Sequence, residues 1–229
     1  MAFLELKNVN VKLNNELIVQ DVSFSIERGD TLAVIGPNGA GKTTLLKAIL
    51  GFLPSKGSIQ WEKKPKIGYV PQKIDVERNL PVTVQEFLEL APSQQFSTKE
   101  VLEFVKLSPQ ILSQSLSNLS SGEFQRILIA FALQNHPDIL LFDEPTASID
   151  VGGQETIYEL LHLLQDKQNF ALLLISHDLT MVYRYANKVL CLNRKQVCFG
   201  NPKEVLSPEE IKNLYGGAAF DQHLQEKHS

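Results

Sequence analysis

The sequence predicts an α/β fold built on a largely parallel β-sheet with both faces buried. Three observations carry this expectation. Thr31-Leu-Ala-Val-Ile35 is a short apolar strand, and Ile139-Leu-Leu-Phe142 and Ala171-Leu-Leu-Leu-Ile175 are continuous apolar runs of strand length. Strands apolar at every position need cover on both sides, which crossover helices between parallel strands supply. Segments with helical periodicity, such as Glu155–Leu164, lie between the runs.

The elements follow in chain order. Leu4–Leu6 and Val22–Ile26 read as short extended segments, with a turn at Asn14-Asn15. The strand at Thr31–Ile35 ends in Gly36. A helix follows, with Leu45, Leu46, Ile49 and Leu50 on one face and Gly51 at its end. A further extended pair is expected over about Gly57–Val70. From about Ile74 to His136 the pattern is helical and is punctuated by Pro81, Pro92 and Pro109. Ser207-Pro208-Glu209-Glu210 reads as a helix start, with proline at the first helical position and a capping glutamate. Gly216-Gly217 is expected to stop that helix. The polar tail beyond is expected to be mobile.

Composition narrows the function classes. The chain has 229 residues, 43% hydrophobic and 21% charged. That is ample for a globular core and excludes a disordered chain or a disulfide-stapled miniprotein. The net charge is −4. Nucleic-acid binding is not expected, because neutralising phosphates needs clustered Lys and Arg. The most apolar stretches, Ile127–Leu133 and Phe170–Ile175, fall far short of the ~18–20 residues that cross a bilayer. The first residues carry Glu5 and Lys7 with no long apolar segment behind them, so no secretory signal is expected. Cys191 and Cys198 match no common zinc spacing and are expected to be small buried thiols in a reducing compartment.

Each apolar strand ends in residues suited to a site. After Ile35 come Gly36, Pro37, Asn38, Gly39, Ala40, Gly41, Lys42, Thr43 and Thr44; after Phe142 come Asp143 and Glu144; after Ile175 come Ser176 and His177. Ligands of open α/β sheets bind beyond the carboxyl ends of the strands, so the three sets are expected to converge. The first set matches the P-loop pattern G-x-x-x-x-G-K-[ST]. Glycines let successive N–H groups turn toward one anion, and the following helix adds the positive end of its dipole. Lys42 is expected on the β- and γ-phosphates, and the Thr43 hydroxyl on Mg²⁺. Alone, Asp143-Glu144 reads equally as a solvated acidic turn. Beside a P-loop, Asp143 is placed to hold Mg²⁺ through water and Glu144 to polarise the attacking water. His177 alone reads as a surface or core histidine. At a third strand end it is placed to contact the γ-phosphate.

With these motifs in order, the sequence resembles an ATP-binding cassette (ABC) protein over nearly its whole length. Gly36–Thr44 resembles the Walker A segment and Ile139–Glu144 the Walker B strand. Tyr69-Val-Pro-Gln72 resembles the Q-loop, and Leu119-Ser-Ser-Gly-Glu123 the signature motif. Ala147-Ser-Ile-Asp150 resembles the D-loop, and His177 the switch histidine. The resemblance implies one cassette domain over residues 1–229: a P-loop NTPase with a RecA-like core, an antiparallel β subdomain, a helical subdomain over about 74–136 and a tail over about 216–229. It implies that Glu144, His177 and Lys42 are catalytic and that Thr43, Gln72 and Asp143 serve Mg²⁺. It also places Ser120, Ser121, Gly122, Glu123 and Asp150 at ATP bound across a homodimer of cassettes. Ser120-x-x-Glu123 is itself a capping box, and a capped helix N-terminus is compatible with phosphate binding.

Two residues depart from the family pattern. Ser121 replaces the usual glycine of the signature. Leu13 occupies the place where the family stacks adenine on an aromatic ring. Leucine contacts a base without π stacking, which implies weaker ATP affinity.

One motif set and no membrane helices imply a separate importer subunit at the cytoplasmic face of the inner membrane. Its partners would be permease subunits and, indirectly, a substrate-binding receptor. Ile67–Lys73, Leu80–Leu88, Glu123 and the stretch from Val189 to Pro202 resemble the zinc and manganese importer group. The alternatives are an ATPase for another small solute and a regulatory cassette with little turnover.

Overall fold

The computed structural model describes residues 2–71, 81–92, 95–143 and 151–216, and of residues 151–156 the backbone. In chain order the strands are β1 (Leu4–Leu13), β2 (Glu16–Ile26), β3 (Thr31–Ile35), β4 (Ser55–Trp61), β5 (Ile67–Val70), β6 (Ile139–Asp143), β7 (Ala171–Ile175), β8 (Lys188–Asn193) and β9 (Lys195–Gly200). The helices are α1 (Lys42–Ile49), α2 (Val84–Glu89), α3 (Thr98–Phe104), α4 (Ser121–Leu133), α5 (Val151–Gln168), α6 (Leu179–Tyr185), α7 (Pro202–Val205) and α8 (Pro208–Tyr215). Two compact units divide them: Met1–Lys63 with Leu174–Ser229, and Lys64–Leu173.

In the first unit β4, β1 and β2 form an antiparallel ribbon, continued by β9, β8 and β3. The β1–β2 turn is the one expected at Asn14-Asn15. Both asparagines are left-handed, with φ of 48° and 65°, as short hairpin turns require. β1 alternates buried Leu4 and Leu6 with outward polar residues, whereas β3 is buried at all five positions. β3 runs parallel to β8, with Ile35 opposite Cys191. Its start is tied to β8. The Asp30 carboxylate accepts the Glu27 N–H at 2.6 Å and pairs with the Lys188 ammonium at 2.8 Å, and Asn187 accepts the Thr31 N–H at 2.9 Å. Phe3 is fully buried, edge-on to Trp61 at 5.5 Å and under the Arg28 guanidinium at 4.5 Å.

In the second unit β5 pairs with β6 in parallel, Tyr69 opposite Leu141. The expected extended pair over Gly57–Val70 therefore needs correction. Both strands form, but β4 pairs with β1 and β5 with β6. Long-range partners decided this, and sequence adjacency could not show them. Among the described residues the helical stretch comprises α2, α3, two short 3-10 turns and α4. Three of its helices start alike. Thr83, Ser97 and Ser120 each accept an N–H from a glutamate three residues on, and that glutamate's carboxylate returns the bond. Gly68 lets β5 lie close to α4; a Cβ there would come within 2.8 Å of the Ala132 carbonyl.

A second correction concerns the cysteines. The antiparallel register sets Cys191 against Cys198, with Cα atoms 4.8 Å apart, and the two are joined in a disulfide. That separation lies within the range a disulfide spans. A spacing of seven in sequence does not reveal a hairpin that brings them together.

Candidate active site

The P-loop leaves β3 at Gly36 and enters α1 at Lys42. Gly36 adopts φ of 150°, and a Cβ on it would lie 1.9 Å from the Leu192 carbonyl oxygen, so only glycine fits between β3 and β8. Gly39 has φ of 78° with open space around it. Gly41 has φ of 96° and caps α1 without any side-chain bond to the helix. The first N–H groups of α1 thus begin beside glycine, the arrangement that favours an anion at a helix N-terminus. Within the loop the Ala40 N–H closes a turn onto the Pro37 carbonyl at 3.1 Å.

Lys42 is buried, and its Nζ donates to the carbonyls of Gly36 at 2.8 Å and Pro37 at 3.1 Å. These bonds curl the ammonium over the loop that carries it. Thr43 and Thr44 are half-buried on the first turn of α1, and Asn38 is exposed at the loop's tip. At the end of β7 the Ser176 N–H bonds the Val34 carbonyl at 3.2 Å, beside the loop's root. Ser176 Oγ accepts the Asp178 N–H, and Asp178 caps α6 through Thr180 and Met181. His177 sits between these two anchored residues with its side chain exposed.

Leu13 ends β1 at the hairpin and is 37% exposed, so its side chain is available to a ligand. Burial pushes the Tyr215 phenol at the end of α8 up to about 12, against a lowering by the Gly36 backbone. Helix α8 therefore reaches the root of the loop.

The second unit carries the other predicted residues. Asp143 is buried at the end of β6. Burial, and then the Asp143 charge, raise the Tyr69 phenol above its usual value. Ser120 caps α4. Its Oγ accepts the Glu123 N–H at 3.3 Å, and the Glu123 carboxylate accepts the Ser120 hydroxyl at 2.7 Å and the Ser120 N–H at 2.9 Å. Those bonds, the side-chain one first, hold the Glu123 carboxyl below its usual range. Ser121 is the exposed first residue of α4, and Gly122 has open space where a Cβ would stand. Gln72, Glu144 and Asp150 lie outside the described residues.

One supporting element lies within Val189–Pro202, a stretch that the sequence marks only by its resemblance to an importer group. The β8–β9 turn supports the P-loop from behind: the Arg194 N–H bonds the Ala40 carbonyl at 2.9 Å, and the Leu192 carbonyl abuts Gly36.

A glycine-rich loop between a buried strand and a helix, with its lysine curled over it, defines a P-loop nucleotide-binding protein. The family model described as ABC transporter matches residues 19–147. The chain belongs to that family: it is an ATP-binding, ATP-hydrolysing cassette of the kind that works with membrane permease subunits. It is 40% identical over 223 residues to the zinc import ATP-binding protein ZnuC of Rickettsia conorii, covering 96% of this chain and 95% of the relative. It is 42% identical over 217 residues to zinc import ATP-binding protein ZnuC 1 of Hahella chejuensis, covering 94% and 84%. Among solved structures it is similar to a metal-chelate type ABC transporter in an inward-facing conformation, with TM-score 0.84 and 28% identity over 93% of this chain and 89% of that one.

Proposed function

We propose that this chain is the ATP-hydrolysing subunit of an importer for a divalent metal ion, zinc in the first instance. The observation that carries the proposal is identity of about two residues in five, over nearly the whole chain, to proteins named for zinc import. Among the described residues no helix is long and apolar enough to cross a membrane. In this proposal the translocation path belongs to separate permease subunits, as the family membership supports, and this chain serves them as a homodimer at the cytoplasmic face. A receptor on the far side hands over the metal.

In this reading residues 1–229 form one cassette. Its P-loop, Gly36–Thr44, wraps the phosphates of ATP, and Leu13 covers the base. Lys42 exchanges the Gly36 and Pro37 carbonyls for the β- and γ-phosphates. The Thr43 hydroxyl and the Asp143 carboxylate are hard oxygen donors that suit Mg²⁺, with Gln72 completing the set. These residues would hold Mg²⁺, and the ion would supply neutralisation of phosphate charge. Glu144 orients and polarises the attacking water, and His177 contacts the γ-phosphate. Ser120, Ser121 and Gly122 offer the N-terminus of α4 to the ATP of the partner cassette, with Glu123 and Asp150 beside it. ATP closes the pair and hydrolysis releases it.

The test is total cellular metal, by mass spectrometry, in a strain lacking the chain and complemented with wild type or with Glu144→Gln. A zinc deficit rescued by wild type alone is expected. Unchanged levels of every metal under scarcity would overturn the assignment.

A further inference from the structure

Arg194, in the β8–β9 turn, ties that turn to the P-loop and to β2. Its backbone is left-handed, with φ of 60°, a conformation that most side chains avoid. Its N–H holds the P-loop at the Ala40 carbonyl, 2.9 Å away. Its carbonyl accepts the Gln20 N–H of β2 at 2.7 Å. Its guanidinium donates to the Glu16 carboxylate at 2.7 Å. Glu16 is the residue paired with Leu13 across the β1–β2 hairpin. One residue of the β8–β9 turn therefore grips the phosphate loop with its main chain and the β1–β2 hairpin with its side chain. The turn is held on both sides, because β8 pairs antiparallel with β9 and parallel with β3.

We infer that Arg194 is a positioning residue for the nucleotide: through Glu16 it fixes the hairpin that carries the base contact relative to the loop that carries the phosphate contact. The inference rests on the reading of Leu13 as the base contact. A ligand that spans both ends, such as ATP, gains from having that distance set in advance. A ligand that uses the phosphate end alone does not. The pair is half-exposed, and such pairs have modest effects, so a change of about threefold in ATP affinity is the scale to look for.

The experiment is calorimetric titration of the full-length chain with ATP and, separately, with inorganic tripolyphosphate. Arg194→Gly suits the left-handed backbone and removes the side chain, guanidinium included, while keeping both main-chain bonds. Glu16→Gln removes the charge from the other side. Each is expected to weaken ATP about threefold and leave tripolyphosphate unchanged. The double variant is expected to be no weaker than either single one, the mark of a coupled pair. Arg194→Lys, which keeps the ion pair, is expected to retain ATP affinity near wild type. Equal losses for both ligands, additive losses, or no loss in Arg194→Gly would each overturn the inference. Leu13→Ala separates the two levels. If it weakens ATP but not tripolyphosphate while the Arg194 and Glu16 variants do neither, the base contact stands and the role of Arg194 falls. If Leu13→Ala also leaves ATP binding unchanged, the base reading falls, and this inference with it.

Discussion

Substituting alanine at Gly36 puts a steric and a conformational cost on one atom. The new Cβ would sit 1.9 Å from the Leu192 carbonyl oxygen and 3.0 Å from its carbon. The obstacle is backbone, so no side-chain rotation relieves it. To reach even 3.0 Å, which real Cβ atoms essentially never undercut, β3 and β8 must part by at least 1.1 Å. That opening falls where Ile35 and Cys191 are paired. Overpacking of this kind costs about 1–3 kcal/mol. A φ of 150° adds a backbone cost of about 1–3 kcal/mol for an L-residue. The sum, roughly 2–6 kcal/mol, is a large part of a typical domain stability of about 5–15 kcal/mol. Gly39→Ala supplies the control. Its φ of 78° carries the conformational cost, but apart from its chain neighbours no atom of the described residues lies within 4 Å of its Cβ. It is expected to lose only about 1–2 kcal/mol. Urea unfolding followed by circular dichroism, with ATP titration of the folded protein, measures both. Gly36→Ala should unfold at clearly lower urea than Gly39→Ala and bind ATP more weakly. Equal midpoints for the two variants would show that β8 does not confine the P-loop in this way.

Three further outcomes are expected. Glu144→Gln should retain ATP affinity while turnover falls to background, as measured by phosphate release from the assembled transporter; normal hydrolysis would exclude Glu144 as the essential group. Leu13→Tyr should tighten ATP about threefold to tenfold by adding a stacking face, and a titration showing equal or weaker binding would contradict the placement of the base. The helix-capping carboxyls of Glu86, Glu100 and Glu123 are all held below their usual value by hydrogen bonds from their caps. Because the folded-state values are depressed, this stabilisation is fully present above about pH 4.5 and fades as pH falls through the lower folded values. Thermal melting of a Glu86→Gln, Glu100→Gln, Glu123→Gln variant should therefore lose less stability on acidification than wild type, and parallel acid limbs would refute the point.

The P-loop and the buried strands were legible in the sequence because they are local. The P-loop is eight consecutive residues whose types follow from what a phosphate needs. The capping boxes are four-residue patterns. The buried strands announce themselves by being apolar at every position. The helix start at Ser207 and Pro208 also formed, with the Ser207 half of the expected box: the Ser207 hydroxyl accepts the Glu210 N–H, and Gly216 ends the helix with φ of 78°. Tertiary structure alone decided what depends on partners far away in the chain. β4 and β5 follow one another, yet they pair with β1 and β6, because strand pairing is set by long-range register rather than by sequence order. Cys191 and Cys198 became a disulfide because a hairpin register faces them. Gly36 reads in sequence as a turn glycine, but its strongest constraint is the Leu192 carbonyl, more than 150 residues on. Arg194 carries no motif at all. Its importance arises because the fold brings Ala40, Gln20 and Glu16 within hydrogen-bond distance of one residue. A motif records what a ligand demands of neighbouring residues, while the support beneath it is set by whichever strands the sheet lays alongside.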